Sequence, residues 1–160
     1  MRLALVILLA VHGFIHGMGF AKAFGFASLP QLTLPISRGM GLLWLAASAL
    51  TVAAAVALIT SPRTWWIIGS VAVALSQAAI VSAWRDAWAG TAVNAVLLLA
   101  VTYGWLTQGP PSYRATFEAD TNTTAAIARH VEARPVTDTD LVTLPEPVQR
   151  HLRAVGVVGQ

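Results

Sequence analysis

The chain contains four long stretches without a single charged side chain. No Lys, Arg, Asp or Glu occurs in residues 3–21, 39–62, 64–84 or 87–113. Each stretch supplies the roughly 20 apolar residues that a helix needs to cross a hydrocarbon core about 30 Å thick. Inside a membrane only helices and closed barrels pair all of their backbone groups, and the sequence lacks the period-two alternation of barrel strands. It therefore predicts an all-α fold, a four-helix transmembrane bundle.

The composition and the connections agree with this prediction. Charged residues make up 11% of the chain, against about a quarter in a soluble domain. The helices are predicted at about 3–24, 39–60, 64–84 and 88–108. Their connections are short, which favours antiparallel neighbours. Residues 1–108 thus form a membrane region whose first partner is the lipid bilayer. The ten Lys and Arg residues are scattered, so nucleic acid is not an expected partner; the Arg- and Ala-rich composition suggests a bacterial protein.

The remaining residues, 109–160, are predicted to be a polar linker and a short, partly helical soluble tail. We interpret "QGPPSYRATFEAD" as linker. "DTNTTAAIARHVEARP" predicts a short helix that begins at Asp120 or Thr121 and ends at Pro135, and "TLPEPVQRHLRAVGVVG" predicts a second, with Pro147 in its first turn. This segment is too short to bury a core of its own, which suggests the start of a truncated soluble domain.

Membrane sidedness is not fixed by the flanking charges. Counted over the predicted connections, one side carries Arg2, Arg63 and Arg114, and the other carries Lys22, Arg38 and Arg85. This even division gives the positive-inside rule no preference. We assign a multi-pass protein of the bacterial inner (plasma) membrane with both termini cytoplasmic. An alternative is that residues 1–23 are a cleaved signal peptide, because "AKA" imitates a cleavage site.

Two histidines lie within the first apolar stretch. His12 and His16 are four residues apart, so they share one helix face with Gly13 and Gly17, whose spacing lets another helix approach closely. Counting along the four predicted helices places one polar residue of each at a similar depth. This candidate intramembrane layer consists of His16, Ser48, Gln77 and Asn94, with His12 one turn away.

Three uses of this layer are compatible with the sequence. Neutral polar side chains can hydrogen-bond across helices and hold the bundle together. His12 and His16 can instead contribute to a site for a metal, a haem or a quinone, because two histidines at this spacing suit metal ligation; no span supplies a carboxylate to complete such a site. A histidine in the membrane can also serve the passage of a proton or solute.

Charged residues at the predicted membrane surface form a second candidate group. Lys22 is interpreted as an interfacial anchor. Arg85 and Asp86 lie in a short connection between Trp84 and Trp88. The simplest role for Asp86 is to complement the dipole at the start of the fourth helix, and the alternative is a polar mouth for a lipid headgroup or quinone.

The sequence contains no GxSxG, P-loop or GxGxxG motif, so it gives no reason to assign an enzyme. The stretches "HGFIHGMGFAKAFGF", "LPQLTLPISRGMGLLWL" and "LPEPVQRHLRAVGVVG" resemble a family of uncharacterised bacterial proteins. The resemblance implies a four-helix membrane region followed by a soluble, largely β domain, whose beginning Leu144 to Arg150 would match. It implies no activity. The helix layout is also similar, in topology alone, to DoxX-like membrane proteins, some of which are tied to quinone-linked oxidation.

These observations predict an integral membrane protein that anchors or presents a soluble domain. The alternatives are a redox membrane subunit that binds a cofactor or quinone at His12 and His16, and a small transporter. A homo-oligomer or another membrane protein is a further expected partner.

Overall fold

The computed structural model describes residues 2–129 and 134–159 and confirms the all-α fold class. The helices in chain order are α1 (Arg2–Ala23), α2 (Arg38–Thr60), α3 (Trp65–Ser82), α4 (Trp84–Ala87), α5 (Gly90–Gln108), α6 (Tyr113–Ala128), α7 (Asp138–Leu141) and α8 (Glu146–Ala154). Four apolar helical segments, which begin with α1, α2, α3 and α5, are long enough to cross a membrane. The chain is therefore a multi-pass membrane protein. It divides into two compact units, one up to Glu118 and one from Ala119 onward.

The four spans pack in chain order and alternate in direction. α1 packs on α2, α2 on α3, and α3 on α5, whereas α1 and α5 make few contacts. The Arg2 guanidinium donates hydrogen bonds to the carbonyls of Leu58 and Ile59, so the start of α1 lies beside the end of α2. We call this end of the bundle the Trp65 side and the opposite end, which holds α4, the Trp84 side.

Small residues set the contact between α1 and α2. The buried residues of α1 follow the helical period along one face: Leu9, His12, Gly13, His16 and Gly19. A Cβ atom at Gly13 would lie 3.2 Å from the Ser48 carbonyl oxygen, so only glycine fits this approach without a shift. The face that carries both histidines is thus the face that packs on the bundle.

The interior of the membrane unit has two apolar clusters. The larger one includes Leu9, Leu58, Trp65 and Leu97 and lies toward the Trp65 side. The smaller one, toward the Trp84 side, consists of Trp44, Ala47, Ala79 and Ala83. The small alanine side chains leave room for the Trp44 indole, which is almost fully buried.

The segment that follows the fourth span differs in part from the sequence prediction. The helix predicted from Asp120 or Thr121 begins earlier, at Tyr113, so the predicted linker is partly wrong. Two local interactions explain the earlier start: Ser112 Oγ accepts a hydrogen bond from the Ala115 amide, and Arg114 pairs with Glu118 at 2.8 Å one turn later. The predicted end of this helix falls partly outside the described residues.

The second predicted tail helix is confirmed as α8, with a proline in its first turn. It is followed by Gly156 at φ +74°, a conformation that suits glycine at a helix end. The carboxylates ahead of it are engaged: Asp140 caps α7 through Thr137, and Asp138 pairs with Arg153 at 2.9 Å.

Candidate functional site

A hydrogen-bonded polar network crosses the bundle from α1 to α5. Ser76 Oγ lies at its centre, 3.0 Å from His12 Nε2 and 2.7 Å from His16 Nε2. The same hydroxyl donates to Asn94 Oδ1 at 2.9 Å, and Asn94 Oδ1 is also 3.1 Å from His12 Nε2. All four side chains are at most 4% exposed. In a membrane such groups must satisfy one another, because lipid offers no partner.

The network continues from Asn94 toward the edge of the bundle. Asn94 Nδ2 donates to Gln77 Oε1 at 3.0 Å, and Gln77 Nε2 donates to Thr91 Oγ1 at 3.2 Å. This series of hydrogen bonds fixes the orientation of the Asn94 amide, so the amide oxygen points at His12 and Ser76. An amide oxygen can only accept hydrogen bonds.

The positions of the protons follow from this arrangement. Ser76 gives its one proton to Asn94, so its oxygen accepts from the imidazoles, and both rings carry their proton on Nε2. If the Asn94 and Gln77 amides were both turned around, the imidazole protons would move to Nδ1. His16 Nδ1 is buried and has no hydrogen-bond partner within the described part of the chain. An unpaired buried N–H donor is costly. We therefore assign the Nε2–H tautomer to His12 and His16, with each Nδ1 as an acceptor.

The structure joins most of the predicted polar layer but not all of it. His12, His16, Asn94 and Gln77 belong to one network. Ser48 does not: it is only half-buried, its carbonyl and hydroxyl lie against Gly13 and Gly17, and the structure gives its hydroxyl no hydrogen bond to a described residue.

Ser76 takes the central position that the depth count gave to other residues. Counting residues places Ser76 and Gln77 at nearly the same depth and cannot decide between them, because one residue of rotation turns a side chain by about 100°. The sequence did contain a signal: Ser76 continues a series of small residues at helical spacing, Gly69, Ala72 and Ala79, on the buried face of α3.

A cavity of about 330 Å³ adjoins the histidines on the Trp84 side. The two imidazoles and the Trp44 indole line it, together with apolar side chains from α1, α3 and α5 and residues of both connections on this side. The remaining lining residues are Ile15, Met18, Gln31, Leu32, Ile80, Asp86, Ala87, Ala89, Gly90 and Val93. The Trp44 and His16 rings meet edge to face at 5.3 Å.

The connection between α1 and α2 forms one wall of this cavity and is held by two charged side chains. Asp86 accepts hydrogen bonds from Thr33 Oγ1 at 2.6 Å and from the Leu34 amide at 2.8 Å. Lys22 Nζ donates to the carbonyls of Leu32 and Leu34. The two hydrogen bonds from the connection, with a smaller effect of the Lys22 charge, hold the pKa of Asp86 below its ordinary value.

The geometry corrects the roles predicted for two residues at the membrane surface, Asp86 and Lys22. Asp86 does not cap the fourth span, because α5 begins at Gly90 after Ala89; its carboxylate faces the α1–α2 connection instead. Lys22 is half-buried, and its ammonium group bonds the connection rather than only extending to the surface. Arg85 is exposed.

The predicted metal site gains no further ligand in the structure. Among residues 2–129 and 134–159, no group of three or more His, Cys, Asp or Glu residues lies close enough to hold a metal ion. Both Nε2 atoms point at the Ser76 hydroxyl. Metal ligation by His12 and His16 stays a prediction.

A larger cavity, of about 630 Å³, lies at the Trp65 side and contains none of the predicted intramembrane site residues. It occupies the gap between α1 and α5, and apolar side chains such as Leu5, Leu8 and Val96 dominate its walls. Within the described chain, its lining contains no histidine and no carboxylate, so we place the chemistry of the bundle at the smaller cavity with the histidines.

A scan against models of known families found no match, and searches of the curated proteins and of the solved structures found none either. The resemblance to an uncharacterised bacterial family, and the topological similarity to DoxX-like proteins, therefore stay predictions from the sequence.

Proposed function

We propose that the bundle binds a small lipophilic molecule in the cavity beside His12 and His16. Two features found together carry this proposal: a cavity of about 330 Å³, and polar side chains of a membrane span, His12 and His16, on its wall. Small-molecule sites are typically concave, mostly apolar and about 300–1,000 Å³ in volume, with a few polar groups that orient the ligand. A group of intramembrane polar residues is itself a functional-site hypothesis.

The position of the cavity supports a ligand that partitions into the bilayer. α3 ends at Ser82, six residues beyond Ser76, which places the polar network about 9 Å from the end of that helix. The cavity extends from this level to Asp86 and the α1–α2 connection. A molecule with a short apolar body can thus occupy the cavity with one end at the histidines and the other near the headgroups.

This proposal keeps the binding part of the quinone and cofactor hypothesis and makes no claim about electron transfer. The anchor and transporter interpretations stay predictions from the sequence, since the described residues contain nothing that tests either. Binding does not conflict with either of them.

Native mass spectrometry of the protein released from mild detergent tests the proposal. We expect the wild-type protein, incubated with a lipid extract of its host membrane, to retain a small molecule in near-stoichiometric amount. Val93→Phe should lose it, because Val93 lines the cavity and the larger ring fills that space. Leu99→Phe is the matched control, since Leu99 lies on the same helix and is 72% exposed toward lipid.

The proposal is contradicted if the wild-type protein carries no molecule, or if Val93→Phe retains it as well as Leu99→Phe does. Both variants should unfold within a few degrees of the wild type, which separates a blocked cavity from a damaged bundle.

A further inference from the structure

We infer that the ligand of the histidine cavity is a neutral amphiphile whose polar end donates a hydrogen bond, such as a phenol or an alcohol, and that His12 Nδ1 accepts it. This inference rests on the proposed function and adds the chemical class of the ligand. It follows from the proton positions in the network and from the part of the His12 ring that faces the cavity.

The network side chains that line the cavity, His12 and His16, have no donor left to offer a ligand. Ser76 gives its proton to Asn94, and both imidazole Nε2–H groups are directed at Ser76 or Asn94. Asn94 donates to Gln77 and does not line the cavity. The unused capacity of the imidazoles is their Nδ1 lone pairs. A ligand that can only accept, such as an ether, ester or ketone, finds no partner there; an O–H group does.

Both histidines line the cavity, and they differ in the accessibility of Nδ1: that of His16 is fully buried, and that of His12 is not. Gly90 also lines the cavity, and a Cβ atom placed at Gly90 would lie 3.6 Å from His12 Cε1, the ring carbon between Nδ1 and Nε2. The structure gives His12 Nδ1 no partner among the described residues, because both hydrogen bonds of the ring use Nε2. His16 Nδ1, in contrast, is fully buried and has no hydrogen-bond partner among the described residues.

The charges around the cavity favour a neutral head over an ionised one. Asp86, whose carboxylate is ionised at neutral pH, lines the cavity mouth, and this disfavours an anionic head such as a carboxylate. Lys22 lies close enough to Asp86 to lower its pKa, which offsets the attraction for a cation. A neutral hydroxyl avoids the cost of moving a charge to membrane depth.

Two isomeric probes measure the contribution of the hydrogen-bond donor apart from that of the rest of the ligand. Para-heptylphenol and para-hexylanisole have the same atoms, but only the phenol carries an O–H. Their affinities for the detergent-solubilised full chain are measured by titration and corrected for partition into the micelle. We expect the phenol to bind roughly 3- to 10-fold more tightly, which is what one added hydrogen bond contributes.

The His12→Leu variant shows whether His12 is the acceptor. We expect it to bring the phenol-to-anisole affinity ratio close to one and to leave the anisole affinity within about twofold. His151→Leu is the matched control, the same substitution at an exposed histidine outside the cavity lining; it should keep the phenol preference. A His12→Leu protein that keeps the preference overturns the assignment of His12.

A second measurement uses the wild-type protein and therefore does not depend on whether a variant folds. With nitrogen-15 in the imidazole rings, the phenol should shift the Nδ1 resonance of one histidine, and the anisole should not. If both probes bind equally and neither shifts a resonance, the ligand class is wrong but the binding function stands. If neither probe binds, and no host lipid co-purifies, the proposed function fails together with this inference.

Discussion

Replacing Ser76 by alanine tests the centre of the polar network most directly. Its hydroxyl contacts His12 Nε2, His16 Nε2 and Asn94 Oδ1 at 3.0, 2.7 and 2.9 Å. Ser76 is 1% exposed, so neither lipid nor water takes the place of the lost oxygen. The change removes three hydrogen bonds and only one heavy atom, so packing changes little.

The size of the effect depends on which partners are left unpaired. His12 keeps Asn94 Oδ1 at 3.1 Å as an acceptor. His16 loses its one hydrogen bond, so its Nε2–H becomes an unpaired buried donor, which costs about 1–3 kcal/mol. The lost bond between Ser76 and Asn94 adds about 0.6 kcal/mol, the average measured inside membranes. We expect a loss of about 1.5–3.5 kcal/mol in the free energy of unfolding.

The assay is reversible unfolding in mixed detergent micelles, followed by the fluorescence of the tryptophans. Ser48→Ala is the matched control: the same change, in a neighbouring span, of a hydroxyl that the structure leaves outside the network. It should alter the free energy of unfolding by no more than about 0.5 kcal/mol.

A double-mutant cycle tests whether the unpaired donor of His16 causes this loss of stability. In a His16→Leu background no donor is left unpaired, so Ser76→Ala should cost only about 1 kcal/mol or less. The reasoning is refuted if Ser76→Ala is as mild as Ser48→Ala in the wild-type background. It is also refuted if the cost of Ser76→Ala is the same with and without His16.

Three further predictions concern other parts of the membrane unit. Gly19→Ala should destabilise the bundle by about 1–3 kcal/mol, because a Cβ atom there would overlap the Trp44 indole, whereas Gly39→Ala, with nothing within 4 Å, should not; thermal unfolding of the two variants in detergent decides this. Because the folded-state pKa of Asp86 is lowered, its hydrogen bonds should stabilise the protein at neutral pH and lose this effect as the pH falls through that pKa. The difference in melting temperature between the wild type and Asp86→Asn should accordingly shrink on acidification, and a constant difference would contradict this. Finally, four spans place the segments before the first and after the fourth on one side of the membrane, so reporter fusions at these two places should report the same compartment.

The sequence was a good guide wherever one helix decides the outcome alone. Length and lack of charge are sufficient to define a membrane span, and the observed α2 (Arg38–Thr60) differs by one residue from the predicted range of 39–60. The period of 3.6 residues placed His12 and His16 on one face with Gly13, and that face is buried. The helix start at Tyr113 was missed, because it depends on side-chain interactions of Ser112, Arg114 and Glu118 that outweigh the two preceding prolines.

Contacts between helices were predicted less well, for a geometric reason. A depth count fixes how far along a helix a residue lies but not how the helix is rotated about its axis. Ser48 and Ser76 were equally available hydroxyls by depth, and only the rotation of α2 and α3 directs Ser76 at both imidazoles. The role of Asp86 was not predicted for a similar reason: its carboxylate contacts the α1–α2 connection, which is more than 50 residues away in the chain.

Taken by itself, the sequence determined that this chain crosses the membrane as four helices and that two histidines face the bundle interior, because hydrophobic length and helical period act locally. Only the tertiary structure decided what those histidines contact. The rotation of each helix depends on how side chains such as Trp44 fit against small residues of another helix, and that fit brings Ser76 and Asn94 to the imidazoles. It also leaves one edge of His12 free beside a cavity, the feature on which both proposals for this protein depend.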